Sequence, residues 1–204
     1  MKTLLFLGDS ITDCNHCFDP LNLGFGYVSM ISRQFNGAEQ NYQIRNLGCD
    51  GFTVPAVRRL WKRSCLTFKP DWITILIGIN DLGVIKNTGI TPSVGLAQFR
   101  EQYQALLDDI RVTTDCPITL MEPFIFPHPA EYESWEEDLH QMSQIIQTLA
   151  LYNNLTFLPL WEMLLSAAKR EGFQAVTTDG IHLTSYGHQL LTDQWIRLHW
   201  PLPF

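Results

Sequence analysis

Short apolar runs alternate along the chain with longer segments of helical periodicity. A buried parallel strand is an unbroken apolar run of about four to eight residues, whereas a helix repeats its apolar positions every three or four. Five runs are predicted to be strands: Thr3–Leu7, Tyr42–Asn46, Trp72–Ile77, Ile118–Met121 and Leu155–Leu158. The segments of helical spacing are Tyr27–Phe35, Val54–Cys65, Leu96–Val112, Ser134–Tyr152, Trp161–Glu171 and Ser185–Leu198.

Strands that alternate with helices predict βαβ units and a parallel sheet, with right-handed crossovers that place helices on both faces. We therefore expect one domain over residues 1–204, an α/β fold of three α/β/α layers with a flavodoxin-like strand order 2-1-3-4-5. Ser134 and Glu137 fit a capping box at the start of their helix. Two irregular segments, Leu82–Gly95 and Glu122–Glu133, are predicted to be loops that line a substrate cleft.

Small and polar residues cluster where the predicted strands end. Open parallel sheets bind ligands beyond the carboxyl ends of their strands, so these clusters are the candidate site. The clusters are Gly8-Asp9-Ser10 after the first strand, the turn at Gly51 after the second, Gly78-Ile79-Asn80-Asp81 after the third, and Asp179-Gly180-Ile181-His182 before the last helix.

These residue types are the ones that acyl transfer requires. A hydroxyl nucleophile needs a neighbouring base, and the base needs an acceptor that fixes its tautomer. Ser10 lies on a strand-to-helix turn, and His182 follows Asp179 by three residues, so the carboxylate can hold Nδ1 while Nε2 faces the hydroxyl. The backbone N–H groups of Ser10 and Gly51 and the side-chain amide of Asn80 are candidate donors to the oxyanion.

The four clusters, in this order, resemble the four sequence blocks of the GDSL/SGNH hydrolases. The resemblance spans positions 8 to 182, and further stretches, such as Phe6 to Cys14, look most like bacterial carbohydrate acetylesterases, including acetylxylan esterases. It implies the SGNH hydrolase fold, no cofactor, a small-molecule ester substrate, and a serine esterase that forms an acyl-enzyme on Ser10, with Asp179 and His182 completing the triad. Gly51 and Asn80 would complete the oxyanion hole. A lysophospholipase or thioesterase of the same family is an alternative.

Two hypotheses of other classes stay open at this point. The first is a metal-dependent phosphoesterase, whose ligands would be drawn from Asp9, Asp13, Asn80, Asp81 and His182. That class needs an Asp-x-His at the first strand, and none is present there. The second is a non-catalytic binding module on a flavodoxin-like frame, which would be expected to lack one or more of the four clusters. Ser10 would in that case only cap the following helix.

Composition and net charge limit the kinds of partner that the protein is expected to bind. A net charge of −7 does not suit a nucleic-acid binder or an anionic membrane surface, and no run approaches the ~20 apolar residues of a membrane span. Five cysteines and no evident signal peptide indicate a reducing, cytoplasmic location. Cys14 and Cys17 are read as loop residues rather than metal ligands. The apolar tail 199–204 predicts packing on its own domain or a homo-oligomer interface.

Overall fold

The computed structural model describes residues 1–36, 42–64 and 67–199. The predicted helix end at Cys65 and the tail residues 200–204 lie outside this part of the chain. The described strands all belong to one sheet: β1 (Lys2–Gly8), β2 (Tyr42–Gly48), β3 (Trp72–Leu76), β4 (Ile118–Met121) and β5 (Thr156–Leu158).

The five strands are parallel and lie in the order β2-β1-β3-β4-β5, as predicted. The inner strand β1 is buried along almost its whole length, which explains its continuous apolar run. Gly8, the last residue of β1, pairs with Gly48 of β2 and with Leu76 of β3. The segments that follow these three strands therefore begin side by side at one edge of the sheet.

Helices cover both faces of the sheet. The longer ones are α2 (Tyr27–Asn36), α3 (Val54–Ser64), α4 (Ile79–Asn87), α5 (Pro92–Arg111), α6 (Glu136–Tyr152), α7 (Trp161–Glu171) and α9 (Ser185–His199), and the single-turn ones are α1 (Ser10–Asp13) and α8 (Phe173–Val176). α2 and α7 pack against α9, whereas α3 and α6 pack against α5. The predicted three-layer α/β/α fold is confirmed. No helix in the described ranges is long and apolar enough to cross a membrane.

The core on the α2–α9 face is built around Trp195, which is fully buried. Its ring lies 5.6 Å from that of Phe6 and 5.8 Å from that of Phe35, and its indole N–H donates to the Thr74 hydroxyl at 3.2 Å. This bond satisfies the one polar atom of a large apolar side chain, as buried tryptophans require. These contacts hold α9 against β1, through Phe6, and against β3, through Thr74.

Two local predictions are wrong. The predicted loop Leu82–Gly95 is helical through Asn87, with Ile79, Leu82 and Ile85 buried, and α5 begins at Pro92, four residues before the predicted Leu96. Proline is favoured in the first turn of a helix, where its missing N–H costs nothing. The capping box is absent as well: the Ser134 hydroxyl donates to the Glu131 carbonyl within a 3-10 turn that precedes α6.

Candidate active site

Ser10 lies on a tight turn between β1 and α1. The Asp9 carboxylate accepts the backbone N–H of Ile11 at 3.0 Å and so caps α1. Gly8 is required by close packing, because a Cβ there would stand 2.2 Å from the Thr12 hydroxyl and 2.5 Å from the Leu76 carbonyl. Close packing therefore restricts the backbone conformation of this turn. The Ser10 side chain is left partly exposed at the edge of the sheet.

A short hairpin before α9 carries Asp179 and His182. An isolated antiparallel bridge between Thr177 and Leu183 closes it, and the Thr177 hydroxyl donates to the His182 carbonyl at 2.8 Å. The Asp179 carboxylate accepts the backbone N–H groups of Ile181 and His182 at 2.9 and 2.8 Å. These bonds fix the position of the acid relative to the imidazole before any substrate is present.

The three predicted triad residues come together in the fold. Ser10 Oγ lies 2.8 Å from His182 Nε2, and His182 Nδ1 lies 2.6 Å from Asp179 Oδ2. Because the carboxylate only accepts, Nδ1 carries the ring proton and the Nε2 lone pair faces the serine hydroxyl. The His182 and Asp179 side chains are 46% and 52% exposed, so the pair is accessible from solvent.

The charge on Asp179 is stabilised where the triad needs it. Partial burial by itself would raise the pKa of this carboxyl, but hydrogen bonds from the His182 side chain, the His182 backbone and the Ile181 backbone outweigh burial and lower the pKa below its usual value. Asp179 is therefore an anion at neutral pH, able to stabilise an imidazolium on His182.

Gly51 and Asn80 follow the two strands that flank β1, so they lie on opposite sides of the Ser10 turn. Gly51 has φ +70°, a left-handed conformation that glycine adopts without strain. The Asn80 amide donates one of its two hydrogens to the Phe52 carbonyl at 3.0 Å. Within the described residues, the Ser10 and Gly51 N–H groups have no hydrogen-bond acceptor, which leaves both available to an oxyanion.

A cavity of about 380 Å³ opens beside the triad, and residues outside the predicted triad and oxyanion hole, such as Asp13, also line it. Asp13 had been considered only as a metal ligand, although its position three residues after Ser10, one turn along α1, was a usable signal. The lining residues are Ser10, Ile11, Asp13, Cys14, Asn15, Asp50, His182, Leu183 and His188. A larger groove between α5 and α6, about 1030 Å³, contains none of the predicted site residues.

The carboxylates that a metal site would have used bond to protein N–H groups instead. Asp81 accepts the backbone N–H of Val54 with both oxygens at 3.1 Å, and Asp9 accepts that of Ile11. Burial raises the pKa of each carboxyl to about 7. Across the described ranges, no three His, Cys, Asp or Glu side chains are grouped as metal ligands.

Cys14, Cys17 and the histidines outside the triad make separate contacts. His16 bonds to Asp13, and the His128 ring stacks on Phe173 at 6.0 Å. Cys14 and Cys17 are free thiols, and each lies 3.6 Å from the Nε2 atom of a different histidine.

The chain belongs to the GDSL-like Lipase/Acylhydrolase family, whose model matches residues 6–190. It is thus a carboxylic ester hydrolase, which favours the esterase hypothesis over the metal phosphoesterase and the binding module. The acetylxylan esterase of Geobacillus stearothermophilus is 28% identical to it over 206 residues, which cover 96% of this chain and 93% of the relative.

Solved structures give the same relationship. The crystal structure of the Geobacillus stearothermophilus acetylxylan esterase matches with a TM-score of 0.84 at 26% identity, covering 96% of this chain and 93% of that one. A putative GDSL-like lipase from Parabacteroides merdae matches with a TM-score of 0.83 at 27% identity, covering 96% and 94%. Structures of the Geobacillus esterase include catalytic mutants in which a serine or an aspartate is replaced by alanine.

Proposed function

We propose that this esterase removes acetyl groups from carbohydrates through an acyl-enzyme on Ser10. The observation that carries the proposal is the 2.8 Å contact between Ser10 Oγ and His182 Nε2, with Asp179 on the opposite ring nitrogen. A nucleophile, a base and an orienting acid in this arrangement are the requirements of a serine hydrolase. The acetyl group is suggested by the relative, which is described as an acetylxylan esterase.

The reaction proceeds in two steps. His182 takes the Ser10 proton at Nε2 while Oγ attacks the ester carbonyl, and the carbonyl oxygen becomes an oxyanion that accepts from the N–H groups of Ser10 and Gly51 and from the Asn80 amide. His182 then gives the proton to the leaving alcohol, and an acetyl-serine remains. Water, deprotonated by the same nitrogen, attacks the acetyl-serine; the bond to Ser10 Oγ breaks, His182 returns the proton to Oγ, and acetate is released.

The lining of the cavity supports a hydroxyl-rich alcohol. Polar side chains predominate in it, among them Asp13, Asn15 and Asp50, and the cavity of about 380 Å³ is at the small end for ligand sites. A long acyl chain gains its affinity from apolar surface, about 25 cal/mol per Å² buried, and few apolar side chains line these walls. Sugar hydroxyls, in contrast, can donate to the carboxylates.

The test compares wild type, Ser10→Ala and Ser93→Ala on p-nitrophenyl esters from acetate to decanoate and on acetylated xylo-oligosaccharides, each with and without EDTA. Ser93 is an exposed residue of α5, so its substitution is the matched control. We expect the highest turnover on acetyl esters, no effect of EDTA, and a loss of roughly 10⁴-fold or more in kcat for Ser10→Ala alone.

Acid quenching during turnover should trap wild-type protein with the added mass of one acetyl group. A preference for decanoate would favour the lysophospholipase or thioesterase alternative. Activity that survives Ser10→Ala and disappears with EDTA would contradict the serine mechanism.

A further inference from the structure

The turn that carries Gly51 is held from two sides by side chains of other segments. On one side the Asn80 amide donates to the Phe52 carbonyl at 3.0 Å. On the other side the backbone N–H of Asp50 donates to Asp13 Oδ2 at 3.2 Å. Gly51 lies between these two attachments, in a turn that the Phe52 N–H closes on the Cys49 carbonyl at 3.1 Å, and its φ of +70° is one that glycine adopts without strain. The direction of its N–H therefore depends on what holds its neighbours.

Asp13 reaches this turn from the helix that Ser10 opens. Its Oδ1 accepts both the backbone N–H and the ring Nδ1–H of His16, at 3.0 and 2.6 Å, and its Oδ2 is left for Asp50. The Asp13 side chain is 18% exposed; its two bonds to His16 are partly buried, whereas its bond to the Asp50 N–H lies at the surface. Both carboxylate oxygens are in use, and His16 sets the rotation that directs the second one at the turn.

We propose that Asp13 is a positioning residue of the oxyanion site. It connects the nucleophile helix to the Gly51 turn and sets the spacing between the Ser10 and Gly51 N–H groups. The inference rests on the proposed serine mechanism, because it assigns a role within that oxyanion site. Oxyanion donors act through geometry that exists before the reaction, so a small displacement of one of them lowers the rate.

Because Asp13 is negatively charged, an effect of charge and an effect of position predict opposite changes in kcat. Asp13 lines the same cavity as Ser10, and a carboxylate near a developing oxyanion repels it. If charge were its only influence, Asp13→Asn would raise kcat. A positioning role predicts the opposite, because an asparagine side chain has one acceptor oxygen for the three N–H groups that the carboxylate now binds.

The experiment compares Asp13→Asn, Asp13→Ala and His16→Ala with the charge-matched control Asp108→Asn, an exposed residue of α5. We expect kcat on p-nitrophenyl acetate to fall about tenfold to a hundredfold in both Asp13 variants, with KM little changed. His16→Ala keeps the backbone N–H bond to Asp13 and loses only the ring N–H bond, so kcat should fall less than in the Asp13 variants. The control should match wild type.

Two readouts separate positioning from a general loss of structure. The first is affinity for an aryl trifluoromethyl ketone. The Ser10 oxygen adds to its carbonyl carbon, the serine proton moves to His182 Nε2, and the former carbonyl oxygen becomes an oxyanion. This affinity should fall in parallel with kcat. The second is amide hydrogen exchange, which should accelerate at Asp50 and Gly51 while the melting temperature stays near that of wild type.

An equal or higher kcat in Asp13→Asn, or unchanged exchange at the turn, would overturn the proposal. So would a loss that appears only in KM. Failure of the proposed function gives a different result, since hydrolysis would then survive in Ser10→Ala whatever the Asp13 variants do.

Discussion

Two aspartate–histidine pairs of the same spacing lie beside the nucleophile. In Asp179–His182 and in Asp13–His16 the carboxylate lies 2.6 Å from Nδ1 and also accepts the backbone N–H of the histidine. Each carboxylate leaves the Nε2 atom of its histidine without a proton. Nε2 faces the serine hydroxyl in the first pair and Cys17 Sγ, at 3.6 Å, in the second.

The second pair predicts different reactivity for two neighbouring thiols. Cys14 is also 3.6 Å from a histidine Nε2, that of His188, but there the backbone N–H of Tyr27 donates to Nδ1 at 3.3 Å, so Nε2 carries the proton. Burial also raises the pKa of the Cys14 thiol. Cys17 is exposed and faces an unprotonated nitrogen of His16. Iodoacetamide should therefore label Cys17 about tenfold faster than Cys14, measured by peptide mass spectrometry.

The His16→Ala variant provides the control for this prediction. It removes the base from Cys17 and leaves Cys14 unchanged, so the difference in labelling rate should narrow. Equal labelling rates for the two thiols in wild type would contradict this prediction.

At the scale of the element, carboxylates from neighbouring segments of the chain cap the starts of helices. Asp81 in α4 binds the first N–H of α3, and Glu122, just after β4, accepts the N–H groups of Leu160 and Trp161 at the start of α7 at 2.8 and 2.9 Å. An N-terminal carboxylate also interacts favourably with the helix dipole. These bonds connect α4 to the start of α3, and the segment after β4 to the start of α7.

The Glu122 cap should contribute measurably to stability. Glu122→Ala removes the acceptor of two backbone N–H groups and of the Ser143 hydroxyl. We expect the free energy of unfolding to fall by about 2 kcal/mol, the upper range for a lost cap. Denaturant unfolding measures the change, with Glu162→Ala as the control, because Glu162 is exposed in the same first turn of α7. Similar losses in both variants would contradict a specific capping role.

At the scale of the whole molecule, the buried carboxyls near the sheet edge make stability depend on pH. Burial raises the pKa of Asp9 from 3.8 to about 7, so between these values the folded protein holds a proton that the unfolded chain has released. Stability from this group is complete below pH 3.8 and is lost as the pH rises through 7. Asp81, which is raised to about 7 by burial as well, acts in the same direction.

Asp9→Asn should remove the contribution of Asp9, because the amide has no ionisable proton and still offers an oxygen to the Ile11 N–H. We expect the variant to gain stability relative to wild type as the pH rises from 3.8 to about 7, the interval between the unfolded and folded pKa values of Asp9. Thermal unfolding across this range measures the difference. Asp108→Asn, exposed on α5, should show no such trend. A constant difference between Asp9→Asn and wild type would contradict the raised pKa.

Much of the fold was predictable because its elements are defined by nearby residues. The apolar run of β1 and the bounds of α7 at Trp161 and Glu171 both appear where the sequence predicts them. Helix α4 was missed because it begins with Gly78 as its cap and the polar pair Asn80-Asp81 in its first turn, which resemble a loop. The displaced start of α6 has a similar cause, since Ser134 bonds within the 3-10 turn instead of capping the helix.

By itself the sequence determined the strand order and the clusters at the strand ends. It also determined the Asp179–His182 pair, because two side chains three positions apart on one turn can meet. Only the tertiary structure decided that Asp13 binds the Asp50 N–H, 37 residues away. Many backbone N–H groups compete for a carboxylate, and local spacing does not choose among them. The parallel pairing of β1 with β2 makes that choice by bringing the ends of both strands to one edge.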